Sequence, residues 1–150
     1  MRKHLKIRLF QATVEQILLY ASETWTVTDT LAKKIDGCYT RMLRMVLDIR
    51  WPNKISNYKL YGKLPKVTSK IRERRMKLAG HIWRHNDLVA HEVLFWEPKH
   101  GQRSRGRPTK SYVDILRQDT GLTDVEDIKR LMENRVLWRD RISTREFHSP

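Results

Sequence analysis

The sequence predicts a mainly all-α protein: a helical bundle over residues 1–96, a basic Gly/Pro linker loop over 97–110 and a small helical C-terminal region over 111–150. Three observations predict it. Apolar side chains recur at steps of three and four residues, the period of one helix face. Ser, Thr, Asp or Asn stands before several of these stripes, and Gly62 and Gly121 close two of them. Only two short runs, 23–28 and 93–96, are β-branched or aromatic enough to read as extended chain.

Residues 4–20 read as one helix with Phe10, Val14, Ile17 and Ala21 on a face. A second helix, about 30–47, is capped by Thr28 or Asp29. Its stripe is Leu31, Ile35, Cys38, Met42 and Met45, and Lys33, Lys34, Arg41 and Arg44 fall on the other side. Trp51-Pro52 breaks the chain, and Ser56 opens a short helix ended by Gly62. A longer helix, about 67–85, carries Val67, Ile71, Leu78 and Ile82 on one face. Lys70, Arg74, Lys77, His81 and Arg84 recur on another, and Arg72 and Arg75 lie nearer the apolar side, placed to snorkel or pair with carboxylates. The run 93–96 reads as a strand or buried extended segment. Tyr112, Ile115 and Leu116 belong to a helix ending at Gly121. Thr123 to Glu126 matches a capping box for the next helix, with Val125 and Ile128, and Asn134 caps a last one with Leu137, Trp138 and Ile142.

Charge narrows the function. The 150 residues hold 31 Lys and Arg against 17 Asp and Glu, a net charge of +14. Residues 1–110 hold 24 against 9, a balance of +15, whereas 111–150 hold 7 against 8, a balance of −1. Such a charge repels itself in a compact state, and a polyanion relieves the repulsion. Nucleic acid is the first candidate and an anionic membrane surface the second. The single Cys38 excludes an internal disulfide and Cys-rich zinc modules, and fits a reducing compartment. The basic start has no apolar segment behind it as a signal peptide would, and the longest apolar run, 17–21, is too short to span a bilayer. These readings place the protein inside the cell.

Candidate binding residues follow from spacing. The row Lys70, Arg74, Lys77 and Arg84 can track a phosphate backbone through counterion release, or form a hydrated helix face. In the loop, Arg105-Gly106-Arg107-Pro108 is narrow and extended, so two arginines can enter an A·T minor groove. It resembles the core of an AT-hook without the proline usually found ahead of it; a solvated loop is the alternative. Arg103 and Lys110 flank it. The five Trp are spread over separate elements and read as core rather than as base-stacking platforms. His81 and His85 are four apart but lack the Glu of an H-E-x-x-H site. The basic part has no adjacent acidic pair of the kind that holds two divalent ions, and no nucleophile or phosphate-loop motif occurs.

The ordered series Ala12-Thr-Val-Glu, Leu18-Leu-Tyr20, Glu23-Thr-Trp25-Thr, Asp36-Gly-Cys-Tyr-Thr-Arg-Met-Leu-Arg-Met45, Arg74-Arg-Met, Ala79-Gly-His81, Trp96-Glu-Pro98, Gly101 to Pro108, Asp119-Thr-Gly-Leu122 and Trp138-Arg-Asp-Arg141 resembles the region after the palm in non-LTR (LINE-type, RTE-like) retrotransposon reverse transcriptases. The resemblance runs through nearly the whole chain. Ala21 stands where that family commonly has glycine. The resemblance implies a thumb-like helical bundle that grips a template–primer duplex of RNA, DNA or RNA–DNA hybrid, acting in the nucleus. The catalytic aspartates and their Mg2+ would belong to the palm, so this stretch would hold no cofactor and would not polymerise alone. Leu5, Leu9 and Trp25 would be left without their palm partners as an apolar patch. The readings left open are an AT-hook-like regulatory module and a fragment without function.

Overall fold

A computed structural model describes residues 2–86, 89–96 and 110–144. All regular secondary structure among them is helical: α1 (Lys3–Ala12), α2 (Val14–Leu18), α3 (Asp29–Val46), α4 (Asn57–Tyr61), α5 (Val67–Trp83), α6 (Val89–Leu94), α7 (Tyr112–Thr120), α8 (Val125–Glu133) and α9 (Arg135–Thr144), with a 3₁₀ turn at Ser22–Thr24. The chain forms two compact units, residues 1–22 with 27–71 and residues 23–26 with 72–150. The division between them falls inside α5.

In the first unit the helix expected over 4–20 is two helices. They part at Thr13, whose Oγ1 donates to the Leu9 carbonyl at 2.8 Å beside its own backbone N–H at 3.0 Å, a back-bond that bends helices. Ala21 then turns the chain at φ 53°, a left-handed conformation that glycine adopts without penalty. Thr28, not Asp29, caps α3, accepting from Leu31 N at 3.4 Å. The buried face of α3 differs from the expected stripe. Tyr39 and Leu43 are its buried residues, whereas Leu31, Cys38 and Met45 are exposed, Met45 by 73%. Around Tyr39 lie Phe10 and Tyr61, with ring centroids 5.4 and 6.3 Å away. Leu5 and Leu9 are exposed, while Trp25 is half-buried.

Two acids sit inside this unit. Glu15, 5% exposed, accepts the Tyr39 hydroxyl and takes Lys70 Nζ at 2.6 and 2.7 Å. Burial first, and the Glu15 carboxylate second, push the Tyr39 phenol well above its usual range. Asp36 of α3 accepts from Thr68 N at 3.1 Å and from its hydroxyl at 2.9 Å, so a carboxylate from another helix satisfies an orphan donor in the first turn of α5.

The second unit is organised around Met76, Ala79, Leu94, Leu116, Ile128, Met132 and Trp138. Trp138 of α9 donates its indole Nε1 to the Met76 carbonyl at 2.9 Å. The run 93–96 is not a strand: Val93 and Leu94 end α6, and Leu94 is buried. α8 is capped by Asp124, one residue after the expected Thr123, and the capping box lies instead at Ser111 and Asp114. The backbone N–H of Ser111 on the Asp114 carboxylate holds that group below the ordinary carboxylate range. Arg72 and Arg75 pair as expected from their position on α5. Arg75 bonds Asp119 Oδ2 at 2.7 Å and the Trp25 carbonyl at 2.7 Å. Arg72 donates to the carbonyls of Asp119 at 3.0 Å and Ile142 at 3.2 Å, serving orphan acceptors in the last turns of α7 and α9. Tyr112, which donates to the Glu23 carbonyl at 3.3 Å, is pushed up to about 12 by burial.

Candidate nucleic-acid interface

The fold divides the predicted cations into two groups. Some are held by the protein itself. Lys70 is locked to Glu15 with 16% of its side chain exposed. Arg44 donates to the Ile55 carbonyl at 2.7 Å and to Asn57 Oδ1 at 2.9 Å. Arg84 donates to the Met132 carbonyl at 2.8 Å. Lys110 bonds Gln118, and Arg74 is engaged within the protein. The others face solvent. Lys33, Lys34 and Arg41 are exposed and make no ion pair among the described residues. At about 100° per residue, Lys34 and Arg41 lie within about 20° of each other on the outer face of α3. Arg103, Arg105 and Arg107 lie outside the described residues, so the loop carries no geometric argument.

The unequal charge of the two units sharpens this picture. The first holds 14 Lys and Arg against four acids, a balance of +10. Two of those acids, Glu15 and Asp36, are committed inside it, and Asp48 is paired with Arg50 at 2.9 Å. Residues 49–71 contain six cations and no acid.

In the second unit Lys77 and His81 of α5, with Arg84 just past its end, line a cleft together with Arg135 and Arg139 of α9. Trp138 and Ile142 complete the lining, and no acid lines it among the described residues. Lys77 is paired with Glu73 one turn back, but its side chain remains 64% exposed, so the pair is weakly held. Arg135 and Arg139 are exposed and make no ion pair among the described residues. Burial, and then the like charge of Arg135, hold Arg84 below the usual arginine range without discharging it. A cleft lined by several cations and by no acid among the described residues is an anion site in physical terms. Sequence reasoning missed Arg135 and Arg139 because the balance of −1 over 111–150 hides them. Their i, i+4 spacing on α9 is the signal that could have found them.

The rings of His81 and His85 are 4.1 Å apart, and His85 Nδ1 lies 2.8 Å from the His81 carbonyl. No group of three or more His, Cys, Asp or Glu among the described residues could hold a metal ion. No helix among them is long and apolar enough to cross a membrane.

With this geometry in view, comparison with known proteins gives one line of similarity. The chain is 24% identical over 132 residues to a transposon-derived protein of Caenorhabditis elegans, an alignment that covers 83% of this chain and 47% of that protein. The chain thus spans about half the length of the relative it matches. No family model matches the chain, and no solved structure does.

Proposed function

We propose that this chain binds nucleic acid as the thumb-like C-terminal region of a LINE-type reverse transcriptase, working in the nucleus on RNA, DNA or their hybrid. The observation that carries the reading is the α5–α9 cleft, where Lys77, His81, Arg84, Arg135 and Arg139 converge without an acidic neighbour in the lining. Nucleic acid fits this arrangement because its phosphates repeat along a line and release bound counterions when neutralised. In the other unit, the outer face of α3 offers Lys33, Lys34 and Arg41 as cations of the same kind. The similarity to a transposon-derived protein supports the parentage. Polymerisation in such an enzyme belongs to palm aspartates and their Mg2+, so the contribution of this chain is to hold the duplex.

The reading predicts little sequence preference and a steep dependence on salt. Neutralising about six phosphates costs about a thousandfold in affinity between roughly 50 and 200 mM salt. Titration of the full chain with labelled RNA, DNA and hybrid duplexes over that range checks this. Equal affinity at both ends, or no binding at low salt, would overturn the reading. A preference for A·T-rich duplex that disappears in an Arg105→Ala, Arg107→Ala variant would transfer the function to the loop.

A further inference from the structure

The five tryptophans do not all serve as core. Trp138 is 2% exposed, but Trp51 is 84% exposed. Seven residues later, Tyr58 is 87% exposed. Neither ring makes a ring contact or side-chain hydrogen bond among the described residues. Two large rings turned to water in one short segment run against the hydrophobic effect, and nothing in their own unit covers them.

The segment beneath them is firmly seated. Arg44 of α3 bonds the Ile55 carbonyl and Asn57 Oδ1, on the stretch that joins Trp51 to Tyr58. Ser56 Oγ accepts from Lys59 N at 3.3 Å, and Gly62 closes α4 at φ 55°. One side of α4 is anchored by Leu60, 2% exposed, and by Tyr61, whose hydroxyl lies 2.9 Å from Thr40 Oγ1. The rings therefore project from a braced support. Around them in sequence stand exposed Lys54, Lys59 and Lys63, none with an ion pair among the described residues, in the 49–71 stretch that has no acid.

We propose that Trp51 and Tyr58 stack on unpaired bases, with Lys54, Lys59 and Lys63 following the adjoining phosphates, so that this segment binds single-stranded nucleic acid. Exposed rings among unneutralised lysines match the two things a single strand offers, a π-face on every base and a charge on every phosphate. A duplex hides the base faces and cannot use the rings. This deepens the nucleic-acid reading above and depends on it.

The test uses the full chain, a short uridine oligonucleotide and a hairpin duplex of equal phosphate number. A Trp51→Ala, Tyr58→Ala variant should lose at least about twentyfold in affinity for the single strand. Its duplex affinity, salt slope, circular dichroism and thermal midpoint should stay unchanged, because both rings are outside the core. Trp51→Phe, with Tyr58 intact, should keep most of the single-strand affinity. Equal loss on both nucleic acids, or no loss on either, overturns the stacking proposal. If salt-dependent binding persists while the variant matches the parent, stacking alone has failed. If the parent shows no salt-dependent binding to either, the nucleic-acid reading itself has failed. Loss of binding to anionic phospholipid vesicles without loss on the single strand would assign the rings to a membrane surface and overturn the proposal.

Discussion

Glu15→Ala should destabilise the first unit by about 3–5 kcal/mol, the usual cost of removing one member of a buried ion pair. Two groups lose their acceptor at once. Lys70 Nζ, now 2.6 Å from the carboxylate, would keep a charge with 16% of its side chain exposed. The Tyr39 hydroxyl, on a residue that is fully buried, would keep a donor with nowhere to place it. The loss is a large share of the roughly 5–15 kcal/mol that holds a domain together. The same logic predicts a rescue. Glu15→Leu, Lys70→Met and Tyr39→Phe combined should recover most of the stability, since apolar groups of similar volume replace buried charge without an orphan. Urea unfolding followed by circular dichroism, with the two units allowed separate transitions, checks both variants. An unchanged midpoint in Glu15→Ala would mean that the pair is open to water.

Gly80→Ala should cost the second unit about 3 kcal/mol, although the same change in most helix interiors gains roughly 0.5–1 kcal/mol. The sign reverses because of one neighbour. A Cβ on Gly80 would sit 2.6 Å from Trp138 Cδ1 and closer still to Nε1. Trp138 cannot move aside cheaply. It is 2% exposed, belongs to the Met76–Ala79–Leu116–Ile128 core, and its Nε1 is bonded to the Met76 carbonyl. Displacing the ring loses that hydrogen bond as well as its packing. Thermal unfolding should show a midpoint several degrees lower in the variant. A raised midpoint would show that the Trp138 ring yields to the added methyl without loss.

Much of the helical framework was readable because its punctuation is local. Thr28, Ser56, Gly62, Gly121 and Asn134 act at the helix ends where their chemistry places them. Arg72 and Arg75 were also legible, since an arginine on the apolar side of a helix needs an acceptor. The rotation of α3 was not. Its buried residues are Tyr39 and Leu43, and Tyr39 is tied to Glu15, a carboxylate 24 residues away in sequence that accepts its hydroxyl, a partnership that no local pattern reveals. The break at Thr13 likewise depends on one hydroxyl turning back on its own helix. For the site, regular spacing identified a basic row on α5 but not the use of each member. Lys70 and Lys77 look alike in sequence, yet one holds a buried acid and the other lines an open cleft. Only packing separates a cation that stabilises the fold from one that is available to a ligand.

On this reading, cations left unneutralised by the fold, Arg135 and Arg139 foremost, meet phosphates. The direct measurement is the slope of log affinity against log salt for the full chain and for an Arg135→Gln, Arg139→Gln variant on the same duplex. Both side chains are exposed, so the variant should fold with an unaltered thermal midpoint. It should bind more weakly, with a slope about two units shallower. A variant that keeps the parent's slope and affinity would show that these two arginines meet no phosphate.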